Sequence, residues 1–209
     1  MKRWLIIAGL AAALSAPAMA ADKNTWQIDV NQSTAQFTVR HLGISNIKGG
    51  FSKVSGTVVV NDADMSKSSV NATIDVSSLD SGVTIRDNDL KSDHFFDLAK
   101  FPTMTFESTK IWKTGNGKAK MAGNLTIHGV TKEVTFDVAG PTAPITAMGS
   151  IRRGAEATAK ISRKDFGMTY DPGIVGDQVS LTIDLEMSQP APGGAAGRGP
   201  GPGPAPGGR

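Results

Sequence analysis

Three histidines, His41, His94 and His128, and an acidic cluster of Asp87, Asp89 and Asp93 around Asn88 are the residues of this chain best suited to chemistry. A zinc centre needs nitrogen and thiolate ligands at close spacing, yet no histidine is paired with another and the chain has no cysteine. Calcium would suit the carboxylates. An EF-hand, however, also needs a central glycine for its turn and a terminal bidentate glutamate, and the segment has neither. Asp87 reads instead as a charge at a helix start or a partner of Arg86. His128 precedes Gly129 between two alternating runs and reads as a hairpin-turn residue. His41 reads as a hydrogen-bonded strand end near a barrel mouth. Hydroxyls are plentiful, but no nucleophile elbow and no glycine loop for phosphate is present, so nothing here asks to be an enzyme. Head-group chemistry at His41 or His94 would rest on titratable residues alone.

The elements that would position these residues are strands. Apolar side chains alternate with Thr, Ser, Lys, Asn and Asp at a period of two through most of the chain. Ala35, Phe37 and Val39 share a face, as do Val54, Gly56, Val58 and Val60, and Val70, Ala72, Ile74 and Val76. The pattern resumes at Met104 and Phe106, at Met121, Gly123, Leu125 and Ile127, and at Val134, Phe136 and Val138. It ends with Ala157, Ala159 and Ile161, then Val179, Leu181, Ile183 and Leu185. Turn residues at 61–67, 115–117 and 128–129 separate the runs, giving about eight antiparallel strands. One apolar face over so many strands must be covered, by a second sheet or by closure into a barrel. From Val83 to Phe101 the alternation gives way to one or two helical turns carrying Ile85, Leu90, Phe95, Phe96, Leu98 and Phe101, which predicts a cap over one barrel end.

Several inward positions are small: Ala35, Gly56, Ala72, Gly123, Ala157 and Ala159. A barrel of about eight strands is just wide enough to be filled by large side chains or to hold one small ligand, so small residues tilt it toward a cavity. Strands of eight to ten residues give a bore roughly 30 Å long, a shape suited to an extended lipid tail.

The ends bound the context. Lys2 and Arg3, an apolar run from Trp4 to Leu14 too short to span a bilayer, and Ala18-Met19-Ala20 predict a cleaved signal peptide over 1–20 and a periplasmic protein with no membrane span after its removal. The absence of cysteine leaves the fold to core burial alone. From Ser188 to Arg209 the composition of Pro, Gly and Ala predicts a disordered tail, leaving one domain over 21–187. The formal charge of +3 becomes −1 once Lys2, Arg3, Arg198 and Arg209 are set aside, and no basic run interleaved with aromatics supports nucleic-acid binding.

Ordered blocks of residues then carry a resemblance. They are Trp26-Gln27-Ile28-Asp29; Phe37-Thr38-Val39-Arg40-His41-Leu42-Gly43; Gly49-Gly50-Phe51; Arg86-Asp87 with Leu90-Lys91-Ser92-Asp93 and Phe95-Phe96-Asp97; and Phe101-Pro102. They continue with Gly123 to Thr131 and with Ile161-Ser162-Arg163 before Asp165-Phe166-Gly167. In these the chain resembles the YceI-like family of periplasmic polyisoprenoid-binding proteins, which implies an all-β, antiparallel, lipocalin-like eight-stranded barrel with a short helical cap. It further implies a carrier of a long isoprenoid lipid, with no cofactor besides that lipid and no catalytic or metal residues. The expected ligand-facing residues are Phe37, Val39, His41, Val58, Ala72, Ile74, Arg86, Leu90, Phe95, Phe96, Phe106, Leu125, Phe136, Ala159, Ile161, Leu181 and Ile183. The lipid head group is expected near the capped end, beside Arg40, His41, Arg86 or Asp89. Asp89 stands where the family often has a histidine, so no role of that histidine carries over. A homodimer through exposed edges is the expected assembly, if any. The competing reading is a solid-core periplasmic stress or adhesion module acting through its loops and tail.

Overall fold

A computed structural model describes residues 23–191, so the expected signal peptide and all but the first residues of the expected tail lie outside the described region. The alternating runs form twelve strands that merge into eight staves: β1 (Thr25–Ile28), β2 (Thr34–His41), β3 (Ser45–Phe51), β4 (Val54–Val59), β5 (Ser69–Asp75) and β6 (Leu79–Asp80), then β7 (Thr103–Gly115), β8 (Lys118–Ile127), β9 (Val130–Ala139), β10 (Ile145–Ala147), β11 (Ser150–Ser162) and β12 (Val175–Pro190). Among the described residues one α-helix, α1 (Thr84–Lys91), lies between β6 and β7. Strands β1 and β2 are one stave bent at 29–33, β3 and β4 another bent at 52–53, β5 and β6 a third, and β9 and β10, which pair with successive stretches of β11, a fourth. Every neighbouring pair is antiparallel, and the β11–β12 ladder from Ser150↔Pro190 to Ser162↔Gln178 closes the sheet on itself. The expected eight-stranded antiparallel barrel with one short helix is therefore the fold. Closure removes the sheet edges that an open sheet of this size would leave unpaired.

The bends change which residues face inward. Trp26 and Ile28 are buried before the first bend, and Ala35 and Phe37, of opposite parity, after it. Phe51 is buried before the second bend and Val54 after it. In β7 the register slips between Ser108 and Lys110, so the inward series Met104, Phe106 continues at Ile111. A bulge inserts one residue and so passes the inward position to the other parity, which simple alternation cannot anticipate.

Ser33, 1 % exposed, fixes the first bend: its hydroxyl donates to the Glu186 carbonyl at 3.2 Å and accepts from the Glu186 amide at 3.1 Å. On the outer side of the same bend, Arg152 pairs with Asp29 at 2.9 Å and with Glu186. Ser33→Ala leaves the Glu186 amide without its acceptor, while the Glu186 carbonyl keeps the Asp29 amide at 2.8 Å, and is expected to cost about 1–2 kcal/mol, read as a lower midpoint in urea with an unchanged slope.

Three sequence expectations are corrected. Strand β12 runs beyond Met187 to Pro190, because Ser188 pairs with Gln27 and with Arg152, so the tail does not begin at Ser188. Ile85 does not pack under the cap; it is 80 % exposed on α1. Gly56 and Gly123 open no space. A Cβ on Gly123 would sit 2.4 Å from the Phe106 ring, which fills the place of the missing side chain. At Gly56 it would sit 2.1 Å from the Asn71 carbonyl oxygen, so that glycine lets two backbones approach.

Candidate functional site

The barrel interior holds three cavities in series. The widest, about 590 Å³, lies at the end opposite α1, beneath the 60–68 loop and the β7–β8 turn, and is walled by Val58, Ile111, Trp112, Met121, Leu185 and Met187 among others. A middle cavity of about 90 Å³ shares Val70, Met121, Ala157 and Leu185 with it. A third, also about 90 Å³, lies under the cap and shares Phe51, Met104 and Ile127 with the middle one. Shared walls at both junctions make this one bore with two constrictions. Phe51 stands at the inner junction, lining the cavities on both sides of it, with its ring 6.0 Å from that of Phe37 and edge-on to Phe96 at 5.4 Å.

The cap is built as the sequence pattern requires. Helix α1 and the turns after it bring Leu90, Phe95 and Phe96 over the bore, where all three line the cavity beneath. Asp97, 7 % exposed, holds the following turn: its carbonyl accepts from the amides of Lys100 and Phe101, and its carboxylate pairs with Lys100 at 2.8 Å. That contact holds Lys100 protonated to higher pH than usual. Arg163 closes the cap from the other side. It is 3 % exposed, and its guanidinium donates to the carbonyls of Met168, Gly176 and Val175 at 2.7–3.0 Å, tying the β11–β12 connection together. Burial lowers the pKa of this guanidinium, with Asp177 and Asp171 opposing the shift. Its donors are thus turned to backbone, and the cap-end cavity presents hydrocarbon, aromatic and thioether surface around them.

A YceI-like domain model matches residues 26–187, nearly the whole barrel. The chain belongs to the YceI-like family. Its relatives include a UPF0312 protein of Vibrio cholerae, 38 % identical over 170 residues that cover 80 % of this chain and 89 % of that one, and a UPF0312 protein of Serratia proteamaculans, 39 % identical over 171 residues, with 81 % and 87 % covered. Among solved structures, the Campylobacter jejuni YCEI protein superposes with a TM-score of 0.65 at 32 % identity, covering 73 % of this chain and 90 % of its own. Burkholderia cenocepacia BcnA gives 0.68 at 26 %, covering 76 % and 98 %. A Saccharophagus degradans domain described as polyisoprenoid-binding gives 0.60 at 14 %, covering 79 % and 98 %, a likeness of fold alone.

In this YceI-like barrel the residues expected to face a ligand divide in two. Val58 lines the wide cavity. Ala72, Ile74, Phe106, Leu125, Phe136, Leu181 and Ile183 line the middle one. Phe37, Val39, Leu90, Phe95, Phe96 and Ile161 line the one under the cap. His41, Arg86 and Ala159 line none of the three. Arg86 is turned to its own loop, donating to the Ser81 hydroxyl at 2.8 Å and carbonyl at 2.7 Å. His41 stands at the last rung of β2, opposite Ser45 and Val175, as the strand-end reading holds.

The other polar residues of the capped end are engaged as well. Arg40 donates to the Gly43 carbonyl and to Asn46, and Asp89 meets His94 Nδ1 at 2.8 Å, with the His94 ring stacked on Tyr170. His128 occupies the β8–β9 turn at φ 51°, edge-on to Phe101, the turn role expected of it. Among the described residues no group of three His, Cys, Asp or Glu could hold a metal. Sequence reasoning found the wide end only in part, through Val58, and missed its other walls: Ile111 and Trp112 lie past the β7 bulge that breaks the alternation, and Met65 lies in the connection after β4.

Proposed function

We propose that this chain is a periplasmic carrier or store for a long isoprenoid lipid, bound along the barrel bore rather than chemically transformed. The observation that carries the reading is the series of three cavities with shared walls along one bore, the middle and cap-end ones lined almost wholly by apolar side chains and the wide one bringing in polar loop residues at its mouth. Membership of the YceI-like family and the isoprenoid ligand ascribed to the Saccharophagus degradans neighbour support the ligand class. Each methylene moved from water to such walls contributes about 0.8 kcal/mol, so several isoprene units supply on the order of 10 kcal/mol after ordering costs, with no charged contact. The tail would enter at the wide end and reach the cap by displacing Phe51 and Met104, side chains that line both smaller cavities. Methionine suits that place, since its unbranched thioether adapts to irregular neighbours.

Purified protein extracted with organic solvent and examined by mass spectrometry is expected to release a prenyl lipid, and stripped protein to take up solanesol. Repeated recovery of no lipid together with no uptake overturns the proposal. It would leave the solid-core reading, for which the packing of the Phe51 ring against Phe37 and Phe96 across the barrel interior is the favouring observation.

A further inference from the structure

Beside the wide cavity sits a cation that the family resemblance does not place and that the apolar bore does not need. Arg153 of β11 has the parity of Ala155 and Ala157, both of which line that cavity, and its register partner is Met187, which lines it too. It is 7 % exposed. Its guanidinium lies over the Trp26 ring at 5.3 Å, and its two terminal nitrogens fork onto the Asp62 carboxylate at 2.9 and 3.1 Å. Its Nε is buried without a hydrogen-bond partner. Asp62 is the opposite in character. It belongs to the loop after β4, its side chain is 72 % exposed, and it lines the cavity while Arg153 does not. Asp62 is therefore the member of the pair that borders the space where a ligand would end, whereas Arg153 borders the neighbouring open pocket with Arg152 and Gly154.

We propose that Arg153 is the head-group site of the bore, selecting a lipid that ends in an oxyanion, phosphate or carboxylate, which takes the place of the Asp62 carboxylate. The inference rests on the lipid-binding reading above and adds to it the class and the position of the head group, at the wide end rather than under the cap.

The asymmetry of the pair is the argument. A buried guanidinium is strongly penalised without an anionic or carbonyl partner, and its planar fork matches phosphate and carboxylate equally well. Asp62 can leave at little cost, because its side chain is already largely in water. A neutral head group that displaced it would strand the cation, whereas an anionic one restores the same two hydrogen bonds. The other carboxylate on this rim, Asp64, is held by the amide and hydroxyl of Ser66 and by Lys67 at 3.5 Å, so it is not the exchangeable group. Lys113 of β7 lines the same cavity and adds positive charge to the entrance.

The test compares three ligands with one tail: farnesyl diphosphate, farnesoic acid and farnesol. Binding to the stripped protein is followed by calorimetry and by the fluorescence of Trp26 and Trp112, which flank the site. The wild type is expected to bind one or both oxyanion lipids roughly tenfold more tightly than farnesol. Arg153→Met is expected to abolish that preference while leaving farnesol unchanged, and Asp62→Asn, which removes the competing carboxylate, to widen it. Preference for the diphosphate alone assigns the site to phosphate lipids, and preference for farnesoic acid as well assigns it to oxyanions in general. Equal affinity for all three ligands, or no change in preference on Asp62→Asn, overturns the assignment and leaves Arg153 and Asp62 as a clamp on the loop. Should Arg153→Met not fold, Asp62→Asn decides the matter alone, since its side chain is exposed. If none of the three binds, the lipid-carrier proposal itself fails, an outcome distinct from binding without discrimination.

Discussion

Ala157→Leu is expected to weaken binding of a long prenyl chain by roughly two orders of magnitude while sparing a short one. Ala157 lines both the wide and the middle cavity, so its methyl group forms part of the constriction between them. Three added carbons there narrow the passage from Val70, Met121 and Leu185 across to β11. A lipid stopped at that point loses the burial of every methylene beyond it. Excluding only four methylenes costs about 3 kcal/mol, so solanesol should bind roughly a hundredfold more weakly. Farnesol, short enough to remain in the wide cavity, should change little. The larger side chain fills space rather than displacing packed neighbours, so the thermal midpoint should hold or rise. Solanesol binding unchanged in a folded Ala157→Leu protein would mean that the chain does not thread the constriction. Solid-core packing predicts a different result: no lipid of either length bound by wild type or variant.

Gly56→Ala should be the most damaging single-methyl change in the barrel. Gly56 has φ +138°, outside the range an L side chain adopts readily, and its backbone faces Asn71 and Ala72 across the β4–β5 ladder. An added Cβ would meet the Asn71 carbonyl oxygen at 2.1 Å and the Ala72 Cα at 2.9 Å, neither of which is the end of a flexible side chain. Strain and collision together should cost about 3 kcal/mol or more, which for a domain of this size lowers the melting temperature by roughly 6–12 °C. A shift below 2 °C in calorimetry would show that the ladder relaxes freely. Because Gly56 lines none of the three cavities, the folded fraction of the variant should keep its lipid affinity.

Much of the candidate site was legible because it lies in regular strands. Wherever a stave is straight, as in β8 or from Val179 to Leu185, the period of two names the inward residues, and Leu125, Leu181 and Ile183 are found in the wall. The helical cap was legible for a related reason: its apolar residues are too many for a solvated loop, and Leu90, Phe95 and Phe96 do roof the bore. Legibility failed where a bend or bulge passes the inward position to the other parity. Phe51, Ile111 and Trp26 were lost in this way. It failed also for small side chains, because the same glycine signal serves a cavity, a ring that fills the gap, as at Gly123, or two close backbones, as at Gly56.

The sequence by itself determined an antiparallel sheet with one apolar face, its turns, its cap segment and, through ordered motifs, its family. These are properties of neighbouring residues, and local stereochemistry and side-chain alternation are enough to express them. Only the tertiary structure decided that the bore is widest away from the cap. It also decided that the polar residues of the capped end are bound to their own loops, and that a buried arginine waits behind an exposed aspartate at the other end. Those outcomes depend on which residues distant in sequence meet after closure. Asp62 and Arg153 are brought together by the barrel, and no periodicity along the chain records their encounter.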